Sequence, residues 1–356
     1  MRGYQKIKIK TLNGSFDFKV RKYVIDGVST NWLRLTNPDL AAHHESQLLR
    51  DFSAKYACLL SYEQTERLVE SRMGNDKLSD QRVFDIVSEY AEAIKLEQEI
   101  QIKSCESIAY NCKAEAVDIY DSESKEVIFL SDGVCVSEQK RTRDGVKKVG
   151  KKRTTTDVMM LQTNLSDKKA YKTIVAAAGI DAVKLVQSEL LVAYGKEVKL
   201  LPIVAISDGA RSIKNENREI FGNKVVHILD WYHLQAKVHQ LMSQIATSKA
   251  LKEECSALIM NYLWSGKVIQ AVLVLRFMFA KNEAKRAELV GYLEKNETHI
   301  IDYEKRKAAG KIIGSGRTEK QNDVLVSKRQ KRKAMAWSPQ GSRNLAIVTA
   351  YYRNAA

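Results

Sequence analysis

Proline is nearly absent, with three residues in 356. There is no long Gly/Ser tract either, which argues against a collagen-like or wholly disordered chain. No run approaches the ~18 apolar residues of a membrane helix, so no span is expected. The start, MRGYQKIKIKTL, is basic but lacks an apolar core segment, and so does not read as a signal peptide. Cysteine is sparse and odd in number: Cys58, Cys105, Cys112, Cys135 and Cys255, with no CxxC pair. This argues against a zinc ribbon and suits a reducing, cytoplasmic setting. Acids are outnumbered, 43 Asp+Glu against 58 Lys+Arg, giving a net charge of +15. Such a balance suits phosphate backbones, although ribosomal and membrane surfaces attract the same bias. The length allows two or three domains and a sizeable core.

Residues 4–35 look β-like, with Ile7 and Ile9 alternating with lysines and a hairpin turn at Asn13-Gly14. Phe16, Phe18 and Val20 alternate on the return. Helical patterns follow over 40–72 and from Ser79, a plausible N-cap. Gly74 separates them, a layout that fits a helix-turn-helix or an ordinary helical hairpin. The outward face of the second helix (Gln81, Arg82, Asp85, Glu89) is not very basic. Residues 127–130 (VIFL) predict a strand that stops at Asp132-Gly133 and continues at 134–137. Residues 138–157 hold eight basic and three acidic residues and read as a hairpin tip or loop. A strand over 154–164, a helix over 168–194, a buried strand over 201–207, a helix over 210–221 and a strand over 225–229 follow. Residues 234–307 read as almost entirely helical, and a last helical stretch starts near Arg317. Strands alternating with helices make this region α/β.

Three acids sit where irregular backbone meets regular structure. Asp132 and Asp208 each follow an apolar strand as Ser-Asp-Gly, and Glu319 follows Gly-Ser-Gly-Arg at a helix start. Carboxylates at the ends of buried strands open on a common crevice. Converging carboxylates suit Mg²⁺ or Mn²⁺. Two such ions ~4 Å apart can activate a water or a 3′-hydroxyl and stabilise the leaving oxygen at a phosphodiester. An Asp-Gly after a strand is also an ordinary turn. Asp230 ends the next strand and could be a further ligand or a supporting acid. His233 could orient phosphate or water, or simply cap a helix. Asp323, one turn beyond Glu319, competes for the third position.

The blocks ISDGARSIKN, VVHILDWYH, IIGSGRTEKQND and RKAMAWS occur in this order. Together they resemble the DDE transposases of bacterial insertion sequences of the ISKra and ISLre type, which carry DGA, LDxYH and GSGxxE blocks. The resemblance runs over about residues 59–351, and LSYEQTERLVESRMGNDKLSDQRVFDIV looks like the helix-turn-helix region preceding such domains. It implies an RNase H-like fold whose three acids bind two Mg²⁺ (or Mn²⁺) ions. Matched block by block, those acids are Asp132, Asp208 and Glu319. Two features depart from the family pattern. A cysteine-rich segment is missing upstream, and Lys320-Gln321-Asn322-Asp323 stands where small or apolar residues are expected.

The expected architecture is therefore α/β, with an RNase H-like core at 111–233 and 308–356 and a helical insertion at 234–307. A β-rich segment, 1–36, and a helix-turn-helix-like DNA-binding region, 37–110, precede it. Asp132, Asp208 and Glu319 are the expected metal ligands, with Asp230 and His233 beside them. Lys328, Arg329, Lys331, Arg332 and Lys333, and Lys147, Lys148, Lys151, Lys152 and Arg153, are expected to grip DNA. The resemblance implies cleavage of element ends and joining of the 3′-hydroxyl to target DNA, by a homo-oligomer on inverted repeats in a bacterial cytoplasm. An RNase H-like nuclease without strand transfer, or a decayed transposase-derived DNA-binding protein, are the alternatives.

Overall fold

The structure, a computed structural model, describes residues 3–74, 76–105, 118–139, 152–175, 182–195, 201–332 and 335–355. The chain opens with a three-stranded antiparallel sheet, β1 (Tyr4–Thr11), β2 (Gly14–Ile25) and β3 (Val28–Asn31). Thr11 pairs with Gly14, so Leu12 and Asn13 form the turn, one position earlier than expected. Five helices follow: α1 (Trp32–Thr36), α2 (Pro38–His43), α3 (Gln47–Ala57), α4 (Tyr62–Met73) and α5 (Asp80–Cys105). The single helical stretch expected over 40–72 is thus broken. The Ser46 and Ser61 side chains each accept a backbone N–H and start a new helix.

Next come β4 (Val127–Ser137), β5 (Arg153–Gln162), β6 (Tyr171–Val175), α6 (Ala182–Tyr194), β7 (Ile203–Ser207), α7 (Arg211–Phe221) and β8 (Val226–Leu229). They build a mixed five-stranded sheet in the order β6-β5-β4-β7-β8, in which β4, β7 and β8 run parallel. The helix expected over 168–194 is corrected here. Its first part, Tyr-Lys-Thr-Ile-Val, is β6, a β-branched run paired antiparallel with β5. Strand β4 also does not stop at Asp132-Gly133 but runs through it to Ser137. After the sheet come α8 (Trp231–Ile245), α9 (Lys249–Trp264), α10 (Val268–Phe277), α11 (Glu283–Lys295) and α12 (Tyr303–Ala308), as the sequence predicts. The chain ends with α13 (Gly316–Asn322), a π turn at Asp323–Ser327, α14 (Lys328–Gln330) and α15 (Pro339–Asn354). Among the described residues, no helix is long and apolar enough to cross a membrane.

The chain forms two compact units. Unit 1 is Met1–Glu97, Val136–Thr154 and Val324–Ala356, and unit 2 is Gln98–Cys135 and Thr155–Asp323. This division places 324–356 with the N-terminal segments, whereas the sequence suggests the catalytic core. The reason lies in α15, whose Leu345, Ala346, Ile347 and Val348 are buried and which packs on α3.

In unit 2 both faces of the sheet are covered, which explains the unbroken apolar runs. Val127, Phe129, Ile203 and Ala205 face Leu185, Val186, Leu190 and Phe221 of α6 and α7. Ile128, Leu130, Val204 and Ile206 face the opposite layer, including Leu234, Val238 and Leu241 of α8. That second layer continues through α9, α10 and α11, so residues 234–307 supply one wall of the core.

Candidate active site

Every acid expected at the centre lies in unit 2. Leu130 of β4 pairs with Ile206 of β7 in a parallel register. Two residues beyond that pair stand Asp132 and Asp208, close enough for the charge of Asp208 to bear on Asp132. Asp132 shares the strand parity of Ile128 and Leu130, the face covered by α8. Its Oδ1 accepts the Gly133 N–H at 2.8 Å, and Asp208 Oδ1 accepts the Ala210 N–H at 2.8 Å. Gly209 makes the turn out of β7 with φ 82, and a Cβ there would lie 2.7 Å from Leu229 Cδ1. The sequence suggests glycines at 133 and 209 that let backbone or substrate approach beside the ligands. Side chains approach them here: Leu229 and Asn296 beside Gly209, Asp157 and Thr155 beside Gly133.

Asp230 is fully buried at the junction of β8 and α8. Its Oδ1 accepts the N–H groups of Tyr232 at 2.6 Å and His233 at 3.1 Å, capping α8. Its Oδ2 accepts both the N–H and the hydroxyl of Ser315, in the Gly-Ser-Gly segment that starts α13. Four donors fill the four acceptor positions of a carboxylate. Asp230 therefore clamps the start of α8 to the start of α13. Burial opposes its ionisation, but the bonds from His233 and Ser315 outweigh that and hold the carboxyl below its usual range. The clamp also explains Gly314, where a Cβ would lie 2.5 Å from the Tyr232 ring. Trp231 packs between Trp264 and Tyr303, with ring centroids at 4.7 and 4.9 Å, and Tyr232 is exposed. Buried Arg306 further anchors this segment, bonding Glu126 and the Ile312 carbonyl.

The clamp sets His233 beside Glu319. His233 Nδ1 lies 3.6 Å from Asp230 Oδ2 and 3.7 Å from Glu319 Oε1, distances of ion pairing rather than hydrogen bonding. Asp230 chiefly, with Asp132 and Glu319, raises the imidazole to about 9 against its burial. Burial pushes the Asp132 carboxyl up, opposed by the Gly133 N–H and by His233. One turn after Glu319, Asn322 Nδ2 donates to Asp132 Oδ2 at 2.6 Å and ties α13 to β4. Its Oδ1 is buried without a hydrogen-bond partner. Asn322 is the residue the sequence reading missed. The signal was its departure from the family pattern at i+3 from Glu319, on the same helix face.

Among the described residues, Asp230, His233 and Glu319 offer atoms within 4.8 Å of one another, a candidate metal group. Asp132 and Asp208 stand outside that group; Asp132 is joined to it through Asn322 and the charge on His233, and Asp208 acts on Asp132. With Asp230 saturated, the donors left for a cation are the carboxylates of Asp132, Asp208 and Glu319 and the orphaned Asn322 oxygen. This all-oxygen set fits a hard ion such as Mg²⁺ or Mn²⁺.

The expected DNA-contacting residues divide differently. Lys147, Lys148, Lys151 and Lys333 lie outside the described residues. Lys328, Lys331, Arg332, Lys152 and Arg153 are exposed, all in unit 1. Arg329 differs from these neighbours in being buried. It is 6% exposed, donates to the Ala57 carbonyl, and lies between the Tyr62 and Trp337 rings at 5.1 Å from each. The π turn ahead of α14 reorients the basic run, so this member points inward. On α5, Arg82 is tied to Glu45 and Glu89 and is not presented for base reading.

No curated protein matches the chain. A solved Drosophila P element transposase strand transfer complex matches over 90% of this chain and 82% of its own, at 10% identity and a TM-score of 0.27. The profile of UPF0236, an uncharacterised protein family, matches residues 1–356, and the chain belongs to that family.

Proposed function

We propose that the chain is a metal-dependent DNA strand-cleaving and strand-transferring enzyme of the DDE transposase type, built on an RNase H-like core. One observation carries this reading. Asp132 on β4 and Asp208 just past the end of β7 each stand two residues beyond the paired Leu130 and Ile206 of these parallel strands, and Asn322 bonds the Glu319 helix to Asp132. An RNase H-like core with these ligands requires that adjacency.

Asp132, Asp208 and Glu319 would hold the ions, and two bound ions supply an activated water or 3′-hydroxyl and stabilise the leaving oxygen. The chain's residues do the rest. Backbone N–H groups fix one oxygen of Asp132 and one of Asp208, so these carboxylates are oriented in advance. Asp230 holds the start of α13 in place and keeps His233 charged beside Glu319. A charged His233 can orient a phosphate oxygen or hold a proton at the leaving 3′-oxygen. Exposed Lys328, Lys331 and Arg332, and Lys152 and Arg153, would position the backbone through phosphate contacts.

The test incubates the full chain and Mg²⁺ with a supercoiled plasmid carrying the DNA that flanks its gene. Strand cleavage at the element ends and joined products are expected, and Asp208→Asn and Glu319→Gln should abolish both. Cleavage without joining would leave a nuclease. No Mg²⁺-dependent cleavage with intact DNA binding would leave a DNA-binding protein.

A further inference from the structure

Unit 1 holds two features that the proposed chemistry does not use: a cavity of about 480 Å³ and the buried Arg329 on its wall. The volume is that of a small-ligand site. Among the described residues no carboxylate lies within 4 Å of the Arg329 guanidinium, whereas the other buried arginines, Arg306 and Arg50, are paired with Glu126 and with Glu45 and Glu89. The Ala57 carbonyl, the Met335 sulfur and two ring faces surround this charge without neutralising it, which favours an anion at the cavity wall. Its neighbours are aromatic. Tyr62 meets Phe84 and Trp337 edge-to-face, at 5.6 and 6.1 Å, so the rings do not stack on one another. The guanidinium covers a face of Tyr62 and of Trp337, but not of Phe84. The Tyr62 hydroxyl is buried without a partner. Exposed Gln81 and Gln139 supply donors and acceptors at the rim, and Asp80 supplies an acceptor. The starts of α4, α5 and α15 all border the cavity, adding positive helix ends.

Its surroundings identify the source of the ligand. The Trp337 backbone N–H donates to the Ser137 carbonyl, and the Trp337 carbonyl accepts from the Gln139 N–H, both at 2.9 Å. Glu138 in turn donates its N–H to the Lys152 carbonyl at 3.0 Å, and the Trp337 indole N–H donates to the Gln330 carbonyl, next to Lys331, at 3.0 Å. Exposed Lys152 and Arg153, and exposed Lys331 and Arg332, are thus bonded through their chain neighbours to residues that line the cavity.

We propose that this cavity receives one nucleotide swung out of a DNA strand, its base against Phe84 and its phosphate toward Arg329. The DNA-binding part of the proposed function underlies this inference; the metal chemistry does not. Enzymes that act on DNA recognise extruded bases by such stacking and edge contacts.

The test photo-crosslinks the full chain, without Mg²⁺, to a single-stranded oligonucleotide carrying one 5-iodouracil, and maps the adduct by mass spectrometry. The adduct is expected on Tyr62, Phe84 or Trp337. Phe84→Leu, which keeps apolar volume but removes the ring, should lower the yield about tenfold. Tyr62→Phe, which keeps the fold's packing, should lower it by a smaller factor. Adducts confined to other residues, or a yield unchanged in both variants, would overturn the proposal. Equal capture of free 5-iodo-dUMP and the oligonucleotide would also overturn it, in favour of a free-nucleotide site. Asp208→Asn should crosslink like the parent, so a failed cleavage assay and a failed crosslink are separate results.

Discussion

Replacing Asp230 by Asn separates a structural clamp from a metal ligand. The side chain keeps its shape but exchanges one acceptor oxygen for an NH₂ group. With the amide oxygen turned toward the Tyr232 and His233 N–H groups, the NH₂ faces Ser315. The Ser315 hydroxyl can rotate and accept, but the Ser315 N–H cannot. One buried donor is left without an acceptor, at about 1–3 kcal/mol. The surviving bonds lose their charge assistance, roughly another 1 kcal/mol. Together these predict a loss of about 2–4 kcal/mol, or a fall in Tm of about 4–15 °C for a unit of this size. The assay is calorimetry with a chelator present, beside Asp208→Asn and Glu319→Gln. Those two leave the four bonds of Asp230 in place and should melt close to the parent. A parental Tm for Asp230→Asn, with its Mg²⁺-dependent cleavage lost, would refute the clamp and make Asp230 a ligand.

Other outcomes are expected. Asn322→Ala frees Asp132 and should cut cleavage by about tenfold or more, as loss of a ligand's support does, with DNA binding unchanged in a filter assay. Replacing Lys328, Lys331 and Arg332 together by Gln should flatten the logarithmic salt dependence of DNA affinity by up to about 2.7. Arg329→Gln should instead lower the melting temperature. Gly209→Ala should destabilise by about 2 kcal/mol or more, because φ 82 and the 2.7 Å approach to Leu229 both oppose a side chain, while Gly316→Ala, in open space, should melt within a degree or two of the parent. Burial, then His299, Arg218 and Lys214, lower His227 to about 4 from 6.5. The unfolded chain therefore binds the proton first, and stability present above pH 6.5 is lost as pH falls toward 4. Solvent screening limits this to ~1–2 kcal/mol, and His227→Gln should remove it in melts at pH 7 and pH 5.

Legibility followed the length and continuity of the signal. VIFL and IVAIS could be read as buried strands because both faces of their sheet are covered, and the runs are unbroken. β6 was hidden because five residues cannot show a period, and a true helix follows soon after. The Asp132 and Asp208 positions were visible as repeated Ser-Asp-Gly, but their adjacency depends on strand order, which one sequence does not state. Asp230 stayed open between ligand and supporting acid because its four donors include Ser315, 85 residues away. Arg329 looked like a surface cation because its cover, Tyr62, lies far back in the chain.

The chain passes between its two units at residues 97/98, 135/136, 154/155 and 323/324. Synthesis gives this threading a timetable. The first 97 residues of unit 1 emerge early, yet α15, whose buried face covers α3, follows only after all of unit 2. At ~5–20 residues per second that interval is roughly 10–45 s. Through it Leu49, Ala54 and Ala57, which end fully buried, wait for their cover. Unit 2 can close first, so the later unit is the one exposed to holding chaperones and proteases during translation. A fragment begun near residue 110 would strand 324–355 without the helices they pack against, so the two units have to be made together.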